Sequence, residues 1–229
     1  MEIQTNQKTF KSYLFFWSGQ QASLLGSSIV QFVIIWWIAI TTGNTLYLAL
    51  AAFLGLAPMV ILGSFAGVFA DRWNRKALIA VVDFLQALAS VILIFLFWLN
   101  IVSIRHVFAL LTVRGIFQAF HQPAVSAITP SMVPKGRLSR MNGLNYLSSG
   151  AVAMVGPIVA AFLLVFWQIY QILWIAIAPF IIALILLLIV AIPPVQTKKT
   201  RPSNRISLKA SISSRTQEAY CRYFLLQLH

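Results

Sequence analysis

Residues 67–76, GVFADRWNRK, are the most informative stretch of the sequence. They end one long apolar run, residues 46–70, and precede another, residues 77–99. A helix of about 20 mostly apolar residues crosses a bilayer core about 30 Å thick. The stretch therefore predicts a basic loop that joins two membrane-spanning helices.

The same pattern extends over most of the chain and predicts an all-α membrane protein. Of the 229 residues, 60% are hydrophobic and 9% are charged, whereas about a quarter are charged in a soluble domain. Closely spaced apolar runs must form helices, because backbone groups that face lipid need partners within their own segment. The six predicted spans are residues 13–40, 46–70, 77–99, 105–127, 140–166 and 169–192.

The distribution of Lys and Arg predicts the orientation of the spans. Fifteen of the 17 basic residues lie in the N-terminal segment, in the loops after the second and fourth spans, or beyond residue 192. Arg105 lies on the opposite side, and Arg114 lies within the fourth span. Because cytoplasmic loops are enriched in Lys and Arg, we expect both termini to be cytoplasmic, in a multi-pass protein of the cell (inner) membrane.

The composition changes after Pro193 and Pro194. Residues 193–229 are rich in Ser, Thr, Arg and Lys, without a sustained apolar period. Such a composition predicts a disordered cytoplasmic tail. The predicted organisation is therefore a cytoplasmic N-terminus (1–12), a six-helix transmembrane bundle (13–192) and a basic tail (193–229).

Several functional classes are disfavoured by the sequence. The net charge of +13 does not predict nucleic-acid binding, because the bases are separated by apolar runs instead of covering one soluble face. The single cysteine, Cys221, and three scattered histidines predict no metal site. Neither a nucleophile–base pair nor a phosphate-binding G-x-x-x-x-G-K-[ST] motif occurs, so we expect no enzyme activity and no cofactor.

The stretch 67–76 resembles the G-x-x-x-D-R-x-x-R-K signature of major facilitator superfamily transporters, at the same place between helices two and three. Gly63 and Gly67 are four residues apart, a spacing that permits close approach of another helix. Asp71 can cap a helix N-terminus or pair with a base. The resemblance implies half of a major facilitator fold with a gating loop formed by Gly63, Gly67, Asp71, Arg72, Arg75 and Lys76.

Helix five is similar to the G-x8-G-x3-G-P-x2-G-G pattern of drug antiporters. Gly143, Gly156 and Pro157 match it, whereas Val152 replaces the middle glycine and alanines replace the final pair. The resemblance implies export in exchange for protons. The alternative is a helix with small packing residues and a proline kink.

Two ionisable residues are candidates for proton coupling. An arginine within a membrane span is costly and is a functional-site hypothesis by default. In the superfamily an arginine at the position of Arg114 is implicated in coupling; the alternative is a structural arginine satisfied by backbone carbonyls. Asp83 either titrates during transport or is a fixed partner of the loop 2–3 bases, and its depth, about 10 Å beyond Lys76, favours the fixed partner.

Polar residues in helices one and four are candidates for the substrate cavity. Gln20, Ser27 and Gln31 lie on one stripe of helix one. Such a stripe faces the bundle interior or a water-filled cavity, so it lines a substrate path or makes interhelical hydrogen bonds. Gln118 and His121 are candidates for the same cavity, since helices one and four line it in the superfamily.

Within the superfamily, the chain is most similar to macrolide-efflux-type drug:proton antiporters. The similar stretches are residues 17–20, 114–124 and 129–134, within a resemblance that covers about residues 10–195. The resemblance implies proton-coupled efflux of hydrophobic drugs. The expected partners are the lipid bilayer, a small hydrophobic substrate and protons.

The superfamily fold has twelve helices in two halves, with substrate between them. This chain is expected to supply six, so a second six-helix half is a further expected partner. From about Thr200 the sequence does not resemble the connector to helix seven. Two explanations are open: a truncated or frame-shifted, non-transporting product, or a half-transporter that acts as a dimer.

Overall fold

The computed structural model describes residues 7–190, except for the side chains of residues 7, 8, 64 and 67–72. The predicted tail, residues 193–229, lies outside the described residues. The described chain forms six long helices, in agreement with the predicted all-α architecture. They are α1 (Gln7–Thr42), α2 (Thr45–Arg72), α3 (Arg75–Trp98), α4 (Ile104–Met132), α5 (Leu138–Phe166) and α6 (Ile169–Ile189).

The helix ends differ from the prediction at several places, among them the end of α4, which lies at Met132 instead of residue 127. Helix α1 begins at Gln7, so residues 7–12 of the predicted N-terminal segment are helical. Helix α2 continues to Arg72, so residues 67–72 of the predicted basic loop are helical. The remaining loop is short because Asn74 accepts hydrogen bonds from the backbone N–H groups of Lys76 and Ala77, at 3.1 and 3.4 Å, and so starts α3.

Helix α4 is the most polar helix of the described chain. The other five are long and apolar enough to cross a membrane. Its 29 residues also give the required length at 1.5 Å per residue, but its hydropathy is lowered by Arg114, Gln118, His121 and Gln122. Arg114 and His121 are buried within the bundle, so these charged and titratable groups are turned away from lipid.

The six helices pack as two groups of three. Helix α1 packs on both α5 and α6, and we call these three helices the first group. Helix α4 packs on both α2 and α3, and we call these three helices the second group. The groups are joined mainly by α3 against α6, whereas α1 and α4 meet over a short stretch. A space therefore remains between the groups on the side opposite the α3–α6 contact.

Glycines permit the closest helix contacts within each group. A Cβ atom on Gly115 of α4 would lie 2.6 Å from the carbonyl oxygen of Gly55 in α2. A Cβ atom on Gly156 of α5 would overlap Oγ of Ser28 in α1 and lie 2.5 Å from Cβ of Ser28. Since non-bonded heavy atoms do not approach so closely, both positions require glycine at the observed spacing.

Two apolar clusters form the core. One contains Val33, Ile34, Leu93 and Leu111, among others, and lies toward the α1–α2 and α3–α4 loops. The other contains Tyr13, Phe16, Ile79 and other residues near the end of the bundle that holds the α2–α3 and α4–α5 loops. We call this the basic end, because Arg75, Lys76, Lys135, Arg137 and Arg140 lie there. Buried polar side chains lie between the two clusters.

Candidate functional site

A cavity of about 590 Å³ occupies the space between the two groups of helices. Its walls come from α1, α2, α4 and α5, with Gln86 contributed by α3. Apolar residues such as Leu56 and Met59 form much of the lining. The polar lining side chains are Ser27, Ser28, Gln31, Gln86, Arg114, Gln118, Gln122 and Ser149. This size and mixture are typical of a small-molecule site.

Arg114 is the charged side chain of this cavity among the residues described. It is 6% exposed, and its Nη1 donates a hydrogen bond to Oγ of Ser90 at 2.9 Å. No carboxylate is among the described side chains that line the cavity. The guanidinium group therefore gives the cavity a positive charge in the middle of the bundle.

A second, smaller cavity of about 80 Å³ adjoins the first toward the basic end. Gln20 and His121 line it, together with Thr129 and Asn145. Leu24, Gln122 and Ser149 line both cavities. The predicted cavity residues are thus divided: Ser27, Gln31 and Gln118 face the large cavity, whereas Gln20 and His121 face the small one. Gln118 and His121, which were expected to line the same cavity, thus line two adjoining cavities that share three lining residues.

Asp83 lies among polar groups of α1 and α4. Its Oδ1 is 3.1 Å from Nε2 of His121, although the contact is not aligned as a hydrogen bond. Gln20 Nε2 donates to Asp83 Oδ2 at 3.3 Å, and Ser23 Oγ donates to Oδ1 at 3.5 Å. The prediction that Asp83 is a fixed partner of the loop bases is therefore wrong, because the antiparallel register of α3 and α4 places it beside His121.

Three pairs of polar side chains follow one another along the α3–α4 contact. They are Asp83–His121, Gln86–Gln118 and Ser90–Arg114. In the middle pair, Gln86 Nε2 donates to Gln118 Oε1 at 3.1 Å. We call these three pairs the polar column. It connects the small cavity, at His121, with the large cavity, at Arg114.

Two bases of the predicted gating loop bind backbone carbonyl groups of neighbouring helices. Arg75 Nη1 donates to the carbonyl oxygen of Ala127, in the last two turns of α4, at 2.7 Å. Lys76 Nζ donates to the carbonyl oxygens of Leu188 and Val190, at 3.0 and 2.7 Å. Leu188 and Val190 lie at the end of α6, where the last carbonyls lack intrahelical partners, so a cation is favourable there. Arg75 and Lys76 thus connect the start of α3 with α4 and with the end of α6.

The remaining members of the predicted gating loop, Gly63, Gly67, Asp71 and Arg72, have no contact that the structure describes with another helix. No described atom lies within 4 Å of the Cβ position of Gly63, so the expected close approach of another helix is not found within the described chain. Gly67, Asp71 and Arg72 belong to α2, and their side chains lie outside the described set.

The three residues of the antiporter-type pattern have different surroundings. Gly156 makes the close contact with Ser28, and Pro157 lies inside α5. The Cβ position of Gly143 has no described atom within 4 Å. Of the three, Gly156 is the one whose size determines how α5 packs on α1.

Gln86, Ser90 and Ser23 belong to the site but were not predicted. A signal for two of them exists in the sequence. Asp83, Gln86 and Ser90 have spacings of three and four residues, which place them on one face of α3. Each is buried in an otherwise apolar helix. A polar stripe of this kind faces the bundle interior.

The fold and the two cavities together define a multi-pass membrane protein with a central polar site between helix groups, as in a transporter. The family comparison agrees with this class. The model of the Major Facilitator Superfamily matches residues 16–226, which is most of the chain. The chain therefore belongs to the Major Facilitator Superfamily, a family of transporters and not of enzymes, as the sequence predicted.

Curated relatives refine the position within the family. Macrolide efflux protein A of Streptococcus pyogenes is 35% identical over 178 residues, which are 77% of this chain and 44% of the relative. Macrolide efflux protein A of Enterococcus faecalis is 34% identical over 152 residues, 66% of this chain and 46% of the relative.

A further relative, the staphyloferrin A transporter of Staphylococcus aureus, is 26% identical over 153 residues, 66% of this chain and 38% of the relative. The chain thus spans less than half the length of these relatives. Their names agree on transport and differ in substrate. The similarity to the two macrolide efflux proteins agrees with the predicted resemblance to macrolide-efflux-type members of the superfamily.

Proposed function

We propose that this chain forms the N-terminal half of a secondary active transporter that exports hydrophobic drugs, such as macrolides, in exchange for protons. The observation that carries the proposal is the cavity of about 590 Å³, with mixed apolar and polar walls and Arg114 at its centre. Substrate sites in such transporters lie near the bilayer midplane, at the interface between repeats. The macrolide-efflux relatives support the substrate class.

Export driven by protons is supported by the chemistry of the bundle. A charged or ionisable group inside a membrane protein costs free energy and is retained for a role in transport or proton relay. The described helices contain three such groups in one column, Arg114, His121 and Asp83. The glycine–proline step at Gly156 and Pro157 adds the similarity to antiporters.

A second six-helix half is the proposed partner that completes the site. Helices α2 and α5 both line the cavity, and both expose large apolar side chains. Examples are Val60 (75%) on α2 and Met154 (72%) and Val165 (75%) on α5. The partner half is either covalently attached, as the length of the relatives suggests, or supplied by a second copy of the chain. We place both termini in the cytoplasm of the cell, with the bundle in its inner membrane.

An export assay tests the proposal. The chain is expressed alone, and also joined to the C-terminal six helices of macrolide efflux protein A from Streptococcus pyogenes, in a macrolide-sensitive bacterium. We expect the joined protein to raise the inhibitory macrolide concentration and to lose this effect when a protonophore collapses the gradient. We expect the chain alone to give no protection, since half of its cavity is uncovered.

The other outcomes separate the alternatives. Protection by the chain alone, with a molecular mass in detergent of two copies, would establish a half-transporter that acts as a dimer. A stable joined protein that neither protects cells nor binds macrolide would contradict the proposed function and favour a non-transporting membrane protein.

A further inference from the structure

The environment of Asp83 differs from that of a structural carboxylate. Asp83 is 2% exposed and lies about two turns after the start of α3. Its Oδ atoms are approached by two neutral donors, Gln20 and Ser23, and by the imidazole of His121. A buried carboxylate with only neutral partners carries a large desolvation cost. Because His121 Nε2 lies 3.1 Å from Asp83 Oδ1, the two side chains are close enough to share one proton.

The charged groups on neighbouring elements have other partners. On α3 itself, Arg75 and Lys76 lie about two turns toward the basic end and bind carbonyl oxygens. On α4, Arg114 lies two turns away in the other direction and binds Ser90.

Helices α1 and α6 bring no permanent charge to this region. The α1 side chains near Asp83 are neutral, and the hydroxyl group of Tyr13 is paired with Thr129. The described helix α6 contains no charged residue, and its titratable Tyr170 packs at the opposite end of the bundle. His121 is therefore the titratable group in direct contact with Asp83 among the described side chains.

Protons have a route to the pair. His121 lines the small cavity of about 80 Å³, together with polar side chains such as Gln21, Thr129 and Asn145. A polar cavity of this size admits water, which needs only about 10–15 Å³ of such volume and two to four polar partners. Because the small and large cavities share Gln122 and Ser149, the pair also communicates with the proposed substrate site.

From this geometry we infer that Asp83 and His121 together form the proton-binding site of the proposed antiporter. The inference rests on the proposed function and names the side chains that hold its proton. The Gln86–Gln118 pair separates this site from Arg114, so the proton and the Arg114 charge in the large cavity interact without direct contact. Asp83 also accepts hydrogen bonds from Gln20 and Ser23 of α1, so protonation changes the contact between the first and second groups of helices.

A titration of the chain itself tests the site without transport. The chain, with 15N-labelled histidines, is placed in lipid nanodiscs, and the ring resonances are followed between about pH 5 and pH 9. We expect the His121 resonances, assigned with His121→Gln, to titrate. Asp83→Asn should move their midpoint by about one pH unit or more, since the imidazolium loses an opposite charge within contact distance.

The same spectra contain a matched control. His106 is exposed and contacts Ser103, with Nδ1 and Oγ 3.0 Å apart, so its midpoint should be the same in both proteins. A His121 midpoint that Asp83→Asn leaves unchanged would overturn the inference. If Asp83→Asn does not fold, the infrared band of the protonated Asp83 carboxyl is followed instead. The pH at which this band appears should then differ between the unmodified chain and His121→Gln. If the band appears at the same pH in both proteins, the inference is contradicted.

Transport by the joined protein supplies the second measurement. In proteoliposomes, Asp83→Asn and His121→Gln should each lower drug accumulation driven by a pH gradient by about tenfold or more. Drug–drug exchange without a gradient should fall much less, because neither side chain lines the large cavity. His106→Gln should affect neither process.

The two assays distinguish failure of the inference from failure of the proposed function. If gradient-driven accumulation is unchanged in both variants, the inference is wrong although export is real. If the unmodified joined protein transports no drug while the coupled titration is observed, the proposed function is wrong and the protonation site remains.

Discussion

Arg114 illustrates how one residue gives the cavity its chemical character. A guanidinium group has five N–H donors and cannot lose its charge under physiological conditions. One of its nitrogens donates to Ser90, and the side chain lines the large cavity beside Gln118. The positive charge thus faces the space in which substrate is proposed to bind, one pair away from the Asp83–His121 site.

Removal of this charge is the first prediction. In the joined protein, Arg114→Ala should reduce drug accumulation driven by a pH gradient by about tenfold or more, because the cavity loses its fixed charge. Ser90→Ala removes the hydrogen-bond partner and keeps the guanidinium group, so it should have a smaller effect. Accumulation measured in proteoliposomes checks both. Full activity of Arg114→Ala would exclude a coupling role for this residue.

At the scale of the helices, the α2–α4 contact depends on the absence of a side chain at Gly115. The Gly55 carbonyl oxygen lies where a Cβ atom of residue 115 would be crowded, at 2.6 Å. Gly63, in the same helix α2, has no described atom within 4 Å of its Cβ position. The two glycines thus have the same intrinsic effect on a helix but different surroundings.

This difference gives the second prediction. Gly115→Ala should destabilise the isolated chain by about 1–3 kcal/mol, because the added methyl group forces α2 and α4 apart. Gly63→Ala should leave stability unchanged or raise it by up to about 1 kcal/mol, since alanine favours the helix. Loss of helical circular dichroism on heating in detergent compares the two variants. Equal midpoints would show that the α2–α4 contact adapts to the added methyl group.

The sequence predicted the helices well and their side-chain partners poorly. Each apolar run is long enough to identify a span, so the six helices were predictable. The ends were less so, because a single residue such as Asn74 determines where α3 begins. Asp83 was assigned to the wrong partner since depth along one helix does not specify the register of its neighbour. The pairing with His121 follows from the antiparallel alignment of α3 and α4, which periodicity does not define.

At the scale of the whole molecule, one face of the bundle combines large apolar side chains with buried polar groups, as the interior of a larger protein does. Helices α2 and α5 expose large apolar side chains on either side of a polar cavity. Lipid can cover the apolar side chains but not Arg114 and the glutamines between them. This arrangement is consistent with the proposed second half and with the length of the relatives.

Coverage of this face gives the third prediction. With Cys221 replaced by serine, a cysteine at Met154 of α5 should react quickly with maleimide in the detergent-solubilised chain. It should react slowly in the joined protein, where the second half covers it. A cysteine at Phe84, which is 57% exposed on α3, is the control and should react equally in both. Equal rates at residue 154 would argue against a partner on α5.

The fourth prediction concerns the proposed orientation. In the same cysteine-free background, Gly136→Cys reports on the α4–α5 loop and Ile101→Cys on the α3–α4 loop. A membrane-impermeant maleimide added to intact cells should label residue 101 and leave residue 136 unlabelled, because the basic end is placed in the cytoplasm. Both residues are exposed, so both should react after the cells are permeabilised. The reverse pattern would invert the topology.

The division of the bundle into two groups has a mechanical consequence. The close contacts at Gly115 and Gly156 each join two helices of the same group, α4 with α2 and α5 with α1. The cavities lie along the line that separates the two groups, and α3 packs on α6 across this line. The hydrogen bonds from Gln20 and Ser23 to Asp83 cross this line of separation. A proton that binds at Asp83, as we propose, therefore alters the hydrogen bonds that join the two groups of helices.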